Sequence, residues 1–191
     1  MEEYKQIINL KIFIVIFISL ASSVKADSTK NLINELHNGG KIIFIRHAYA
    51  PGSGDPDNFD KKDCSTQRNL NFQGIKQSKN IGNFFLKNKV EIDQVFSSEW
   101  CRCKDTAKYA FNEFKTFDAL NSFYQAKFEK NKDKQIKDLR NFIKKWSSNK
   151  NLILVTHYVV IQEILNIGVN SGEIIVSDQN YEIIGKIQTN Y

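Results

Sequence analysis

The chain alternates short, uninterrupted apolar runs with longer segments in which apolar residues recur at helical spacing. The runs at 41–45 and 151–155 are almost continuously apolar, which predicts strands buried on both faces. Residues 92–96 are predicted to form another strand. The segments at 71–87 and 132–146 carry apolar residues every three or four positions, which predicts amphipathic helices. Because strand and helix alternate, we predict the α/β class: a three-layer α/β/α sandwich with a mostly parallel central sheet.

The other predicted elements are shorter. Three further helices are predicted, at 29–37, 99–110 and 158–167, together with a third strand within 114–120. Residues 173–188 are predicted to form a hairpin of two strands around a turn at 178–180. Residues 50–63 are rich in Pro, Gly, Asp and Asn, which predicts a long surface loop of the kind that often carries function.

The first 26 residues have the composition of a secretory signal peptide. Lys5 and Lys11 precede an apolar stretch, and a small-residue cleavage motif ends at Ala26. The stretch is shorter than the about 20 residues that span a bilayer as a helix. We therefore predict a signal peptide over 1–26, a single domain over 27–191, and a periplasmic or secreted location without membrane association after cleavage. An uncleaved N-terminal anchor is the alternative.

Because export is predicted, two of the three cysteines are expected to form a disulfide. Cys64 lies near the long loop, and Cys101 and Cys103 flank Arg102. In an oxidising compartment, a disulfide between Cys64 and one of the other two would leave one free thiol. A zinc site is the alternative, but the chain has no Cys-x-x-Cys motif, and we predict no metal site.

The net charge of the chain limits the classes of ligand that we expect it to bind. The net charge is +6, which is compatible with binding to nucleic acid, to anionic membranes or to acidic small substrates. The lysines are scattered, with no run of five basic residues, so we expect no nucleic-acid binding. The charge favours acidic small substrates or a simple drift in composition.

Two of the three histidines occupy equivalent positions. His47 and His157 each directly follow a predicted buried strand, and ligands bind at the carboxyl ends of strands in open α/β sheets. Arg46 precedes His47, and Arg102 lies one helical turn beyond the end of a third strand. Guanidinium groups form planar donor forks that suit phosphate oxygens, although a surface salt bridge is the alternative for Arg102. His37, in a polar helix end, is assigned to capping.

Four segments, in this order along the chain, resemble motifs of the histidine phosphatase superfamily, whose fold is phosphoglycerate-mutase-like. The Arg-His-Ala sequence at 46–48 resembles an Arg-His-Gly signature, and the segment at 70–77 resembles a Leu-Thr-x-x-Gly-x-x-Gln helix start. The segment at 97–107 resembles the second-arginine motif, and 156–161 resembles a Ser-His-Gly-Gly-Val-Ile segment. Residues 63–70 are also similar to a loop of the short phosphohistidine-phosphatase branch.

This resemblance implies a metal-independent phosphomonoesterase that needs no cofactor and acts through a covalent phosphohistidine intermediate. It makes His47 the nucleophile, places Arg46, Arg102 and His157 in the catalytic phosphate pocket, and gives Arg68 a role in substrate binding. The implied substrate is a phosphorylated small molecule or a phosphoprotein. The alternative is a catalytically inactive domain of the same fold that binds a phosphoryl ligand. The export signal argues against a third possibility, a glycolytic mutase.

The chain departs from the family pattern at three places. Ala48 replaces the glycine after the nucleophile, which is a small change. Tyr158 and Val159 stand where the family has glycine, which predicts a bulkier pocket rim. The family places its general acid after the third strand, where this chain has Asn121 and Ser122, which are not carboxylic acids. Asp118 is the nearest candidate for the acid. Its rivals are three aspartates of the long loop: Asp55, Asp57 and Asp63.

Overall fold

The computed structural model describes residues 29–190, which form a six-stranded sheet with helices on both faces. The predicted signal peptide, 1–26, lies outside these residues. The strands are β1 (Ile42–Arg46), β2 (Ile92–Ser97), β3 (Lys115–Thr116), β4 (Asn151–Thr156), β5 (Glu173–Ser177) and β6 (Ile183–Gln188). The helices are α1 (29–38), α2 (Phe72–Lys87), α3 (Cys101–Phe111), α4 (Ala126–Glu129), α5 (Lys132–Lys145) and α6 (Tyr158–Leu165). In this part of the chain no helix is both long enough and apolar enough to cross a membrane.

The sheet has the strand order β3-β2-β4-β1-β5-β6. The first four strands are mutually parallel, while β5 pairs antiparallel with β1 and β6 pairs antiparallel with β5. The mostly parallel sheet and the terminal hairpin are both confirmed. In the register of β1 with β4, Arg46 pairs with Thr156, so the residues that follow the two strands emerge side by side.

The sheet separates two apolar layers. Ile42 and Phe44 of β1 face one layer, which contains α5 and α6, whereas Ile43 and Ile45 face the layer that contains α1, α2 and α3. All four side chains are fully buried, as expected for a strand covered on both faces. The predicted three-layer α/β/α sandwich is therefore confirmed.

Several element boundaries differ from the prediction. The strand predicted within 114–120 extends only over Lys115–Thr116, and the chain then turns through a 3-10 helix, Asp118–Leu120. The strand stops because Leu120 is fully buried in the core below the end of the sheet. Helix α6 ends at Leu165 because Asn166 adopts a left-handed conformation, with φ of 53°. The four-residue helix α4 is too short for a periodic signal and was not predicted.

Candidate active site

The ends of the two central strands bring the two predicted histidines together. His47 directly follows β1 and His157 directly follows β4, and their ring centroids are 5.4 Å apart. The backbone N–H of His47 donates to the carbonyl of Thr156, at 2.9 Å, which continues the pairing of the strands to the site itself. Both side chains are almost completely buried. The structure thus places the pair at the carboxyl edge of the sheet, where ligands of open α/β folds bind.

The hydrogen bonds of His47 define which ring nitrogen carries its proton. Nδ1 lies 2.8 Å from the carbonyl oxygen of Ala48, which can only accept a hydrogen bond, so Nδ1 carries the hydrogen and donates it. Nε2 lies 3.2 Å from Nε of Arg102, which can only donate. Nε2 is therefore the nitrogen without a hydrogen, and it carries the lone pair that a nucleophile requires; in this structure that lone pair accepts the Nε–H of Arg102.

His157 is held by a chain of side-chain hydrogen bonds. Its Nε2 lies 2.9 Å from Oγ of Ser98, whose hydroxyl donates to Oδ1 of Asn121 at 3.0 Å. The same Oδ1 accepts the backbone N–H of Glu99, and Nδ2 of Asn121 donates to Oε2 of Glu99. Because the Ser98 hydrogen is used toward Asn121, Nε2 of His157 donates to Ser98. This chain, which includes Ser98, Asn121 and Glu99 beside the predicted residues, could not be recognised from sequence spacing.

Burial and positive charge keep both histidines neutral. Desolvation is the main cause that holds the pKa of His47 well below its ordinary value, and the charge of Arg102 lowers it further. The pKa of His157 is well below its ordinary value for the same two reasons, burial first and Arg102 second. Neutral imidazole is the form that acts as a nucleophile, so these shifts maintain His47 in its reactive state.

Three arginines line the pocket beside the histidines: Arg46, Arg68 and Arg102. Nη1 of Arg46 donates to the carbonyl of Val169 at 2.8 Å. Nε of Arg68 donates to the carbonyl of Gly54 at 2.8 Å, and burial lowers the pKa of this guanidinium to about 10. At neutral pH each arginine therefore carries its positive charge at the pocket wall.

Arg102 makes a buried ion pair with Asp55. Its Nη1 lies 2.7 Å from Oδ1 and its Nη2 lies 3.2 Å from Oδ2, and each side chain is 4% exposed. The same carboxylate accepts hydrogen bonds from Nε1 of Trp100 and the backbone N–H of Arg68. Burial by itself would raise the pKa of Asp55, but the hydrogen bonds and charge of Arg102 hold it below its ordinary value. The aspartate is thus ionised, and the pocket has two net positive charges.

The other predicted acid candidates lie elsewhere. Asp118 is exposed in the 3-10 helix after β3 and borders a different depression, so the prediction that it is the general acid is not supported by its position. The 3-10 turn directs Asp118 away because Leu120, two residues later, is held in the core. Asp63 is exposed and caps the 3-10 helix Cys64–Thr66, and Asp57 is exposed in the loop. Of the four candidate aspartates, the structure brings Asp55 alone to the histidines.

Other motif residues hold the strand-end segment in place. Oγ1 of Thr106 accepts the N–H of Ala48 and donates to the carbonyl of Arg102, which links the two segments that bear His47 and Arg102. Gln77 accepts the N–H of Tyr49 through Oε1. Gly74 lies so close to the carbonyl of Tyr49 that a Cβ would come within 2.0 Å of its oxygen, so glycine is required there.

Cys64 and Cys101 form a disulfide, one of the two pairings considered from the sequence. The bond joins the long-loop side of the pocket to the first residue of α3, next to Arg102. Cys103 is the free, buried thiol, and burial raises its pKa to about 12. Its Sγ lies 3.4 Å from Nε2 of His157.

The pocket has a volume of about 220 Å³ and an aromatic rim. Tyr158 and Val159 line it, in agreement with the predicted bulkier rim. Nothing in the sequence pattern marks the other aromatic lining residues, because Tyr124 lies in a loop, Phe128 in a four-residue helix, and Trp100 directly before α3.

Comparison with solved structures identifies the fold. No protein-family model matches the chain, and no curated protein matches its sequence. The structure is similar to the protein histidine phosphatase SixA complexed with tungstate, with 14% identity, a TM-score of 0.52, and coverage of 79% of this chain and 94% of that one. It is similar to phosphoglycerate mutase from Thermus thermophilus, with 13% identity, a TM-score of 0.57, and coverage of 78% and 99%.

A third similar structure is a mutant phosphoserine phosphatase from Entamoeba histolytica in complex with phosphoserine. It has 17% identity and a TM-score of 0.52, and the match covers 71% of this chain and 89% of that one. The three proteins differ in the reaction that their names give, and the identities are low, so what they share with this chain is the fold. The described chain therefore has the fold of the histidine phosphatases, in the form found in SixA and in phosphoglycerate mutase.

Proposed function

We propose that this protein is a phosphatase that hydrolyses phosphate monoesters through a covalent phosphohistidine on His47. The observation that carries the proposal is the state of the His47 ring in the arginine-lined pocket: Nδ1–H donates to the Ala48 carbonyl, and Nε2, which has no hydrogen, accepts the Nε–H of Arg102. The Nε2 lone pair becomes available for attack when a phosphate takes over that guanidinium. SixA and the phosphoserine phosphatase, which have the same fold, are phosphatases by name.

The proposed reaction has two steps. In the first, the Nε2 lone pair of His47 forms a bond to phosphorus while the bond from phosphorus to the ester oxygen breaks, and the electron pair leaves with that oxygen. In the second, water attacks the same phosphorus, the N–P bond breaks, and its electron pair returns to Nε2, with the water proton released to solvent. Covalent capture divides one difficult displacement into two easier ones.

The positive charge for this reaction comes from arginine side chains. Phosphoryl transfer depends on positioning and on stabilisation of charge on the equatorial phosphate oxygens. The guanidinium groups of Arg46, Arg68 and Arg102 line the pocket around His47, and arginine forks match phosphate geometry. We therefore propose that hydrolysis needs no added metal, persists in the presence of a chelator, and is inhibited by vanadate, which mimics the five-coordinate transition state.

The decisive experiment traps the intermediate by rapid acid or base quench with labelled substrate. Wild-type protein should form a phosphoenzyme that is labile in acid and stable in base, whereas His47→Ala should form none and have no turnover. His157→Ala should retain trace labelling with reduced turnover, because the His157 ring packs edge-on against His47 and helps to hold it at the pocket. His37→Ala, in which the exposed histidine of α1 is removed, serves as the matched control and should behave as wild type.

The same measurement tests the rival function, a non-catalytic domain that binds a phosphoryl ligand. Phosphate binding without turnover or labelling of the wild type would favour that domain. A label that survives in His47→Ala, or that is base-labile as an acyl phosphate is, would mean that His47 is not the nucleophile.

We also propose that the reaction takes place outside the cytoplasm, in the periplasm or after secretion. The signal-like sequence of residues 1–26 and the Cys64–Cys101 disulfide support this location, because structural disulfides persist in oxidising compartments. N-terminal sequencing of the exported protein should find Asp27 as the first residue. A mature protein that begins at Met1 would instead indicate a retained anchor.

A further inference from the structure

Among the described residues, the pocket has no carboxylic acid that could protonate a leaving group. Among residues 29–190, Asp55 is the one Asp or Glu whose side chain lines the pocket. Both of its oxygens accept hydrogen bonds from donors that cannot accept in return: the guanidinium of Arg102, the indole of Trp100 and the backbone N–H of Arg68. A carboxylate in this environment is ionised and has no proton to give.

The remaining proton-bearing groups are weak acids. Nε2–H of His157 is used toward Ser98, and burial beside Arg102 keeps this ring neutral. Glu99, at the far end of the hydrogen-bond chain, is bound by Lys61 and Asn121 and does not line the pocket. Serine and tyrosine hydroxyls, as side-chain types, are far weaker acids than a carboxyl group.

The mouth of the pocket is aromatic. Tyr158, Phe128 and Tyr124 line the same pocket as the three arginines, and the Tyr158 ring packs over Arg46, with 5.6 Å between its centroid and Cζ. Tyr124 is 62% exposed, and of the large apolar side chains that are exposed among residues 29–190 it is the one at the pocket. An exposed ring at the edge of a site is available to stack on a planar group of a ligand.

We infer that the substrate is a phosphate ester of an aromatic hydroxyl, whose oxygen leaves as an anion without protonation and whose ring stacks on Tyr124. This inference rests on the proposed function and specifies its substrate class. In the first step, the N–P bond to His47 forms and the P–O bond breaks, and the electron pair departs on an aryloxide that its ring delocalises. The aryloxide then takes its proton from water. An alkoxide lacks such delocalisation and would require the acid that this pocket does not provide.

Four phosphate compounds test separately the need for an acidic leaving group and the need for an aromatic ring. Phenyl phosphate has both the ring and the acidic hydroxyl, benzyl phosphate has the ring on an alkyl oxygen, acetyl phosphate has a good leaving group without a ring, and ethyl phosphate has neither. The quantity to compare is kcat/KM, because it reports the first transfer, whereas dephosphorylation of His47 is common to all four. Phenyl phosphate should exceed benzyl phosphate by about 10²- to 10⁴-fold, the factor that a general acid typically contributes.

Variants at Tyr124 test the stacking contact. Tyr124→Ala should lower kcat/KM for phenyl phosphate by about five- to tenfold, the size of a lost aromatic contact, and should lower the ratio of phenyl to acetyl phosphate kcat/KM by a similar factor. Tyr124→Phe keeps the ring and should restore the phenyl phosphate activity that Tyr124→Ala loses, whereas a loss as large as that of Tyr124→Ala would assign the role to the hydroxyl. Tyr109→Ala is the matched control, because Tyr109 is a 41% exposed tyrosine on α3 that does not line the pocket.

Each outcome has a distinct meaning. Benzyl phosphate turned over within tenfold of phenyl phosphate would overturn the leaving-group requirement and leave the phosphatase intact. Equal losses for phenyl and acetyl phosphate in Tyr124→Ala would overturn the stacking role. If none of the four compounds is hydrolysed and no phosphoenzyme forms, the proposed function itself fails. If phenyl phosphate is the preferred compound, the kcat/KM of a phosphotyrosyl peptide is compared with that of free phosphotyrosine. A higher value for the peptide indicates a protein substrate, and a higher value for the amino acid indicates a small molecule.

Discussion

The two buried histidines predict a specific dependence of stability on pH. In the folded protein the pKa values of His47 and His157 lie well below the ordinary value because of burial and the charge of Arg102, whereas in the unfolded chain both titrate near about pH 6.5. Below that pH the unfolded chain binds two protons that the folded protein does not. The free energy of unfolding must therefore decrease as the pH falls.

The size of the effect follows from the two sites. A histidine that stays neutral in the folded state costs on the order of 1 kcal/mol of stability between about pH 7.5 and about pH 5.5, so two of them cost roughly 2 to 3 kcal/mol. Ionised carboxylates such as Asp55, with a lowered folded pKa, lose their contribution only at more acidic pH, where the unfolded carboxyl groups begin to protonate. The window between about pH 5.5 and about pH 7.5 therefore isolates the histidines.

Urea unfolding across this window measures the effect, with the slope of stability against pH as the readout. His157→Asn should halve the slope and His47→Asn/His157→Asn should remove it, even if the variants are less stable at every pH. His37→Asn is the control, because His37 is exposed. A wild-type stability that stays constant between neutral and mildly acidic pH would refute the reasoning, since the histidines would then be protonated in the folded protein and His47 would not be held as a nucleophile.

Three further predictions concern the surroundings of the site. Arg102→Lys keeps the charge but loses the two-pronged contact with Asp55, so kcat/KM should fall by about a hundredfold or more; a loss below tenfold would contradict the role of the fork. Replacing Cys64 and Cys101 by serine opens a loop with a sequence separation of 37 residues and should lower the free energy of unfolding by about 4 kcal/mol; an unchanged urea midpoint would contradict this. Cys103, with its pKa raised to about 12 by burial, should resist alkylation in the native protein and react in denaturant, as mass spectrometry would detect; rapid native labelling would argue against its burial.

The sequence was informative where a local pattern determines structure. The uninterrupted apolar runs of β1 and β4 predicted central strands, and these strands are neighbours. Once they are adjacent and parallel, the residues that follow them must meet, which is why His47 and His157 could be paired before their contact was known. The position of Arg102 followed in the same way from the end of β2 and one turn of α3.

The sequence was uninformative where a contact between residues far apart in the chain involves one of several similar residues. The loop 50–63 contains Asp55, Asp57 and neighbouring polar residues without any periodicity, so nothing local marks Asp55 as the partner of an arginine 47 positions away. The structure selects Asp55 because its carboxylate reaches the guanidinium of Arg102 and the indole of Trp100 at once. The position of Asp118 away from the histidines has the same origin, since the path of the chain after β3 is set by core packing rather than by local spacing.

Contacts in the folded structure also decide which ring nitrogen of each histidine carries the hydrogen. They occupy the same position after parallel strands, yet His47 carries its hydrogen on Nδ1 and His157 carries it on Nε2. The first state is imposed by the carbonyl of the next residue, and the second by Ser98, whose own hydrogen is committed to Asn121. The amide of Asn121 also joins this hydrogen-bond chain to Glu99. Asn121 therefore has a positive role in the site, because its contact with Ser98 decides which nitrogen of His157 carries the hydrogen.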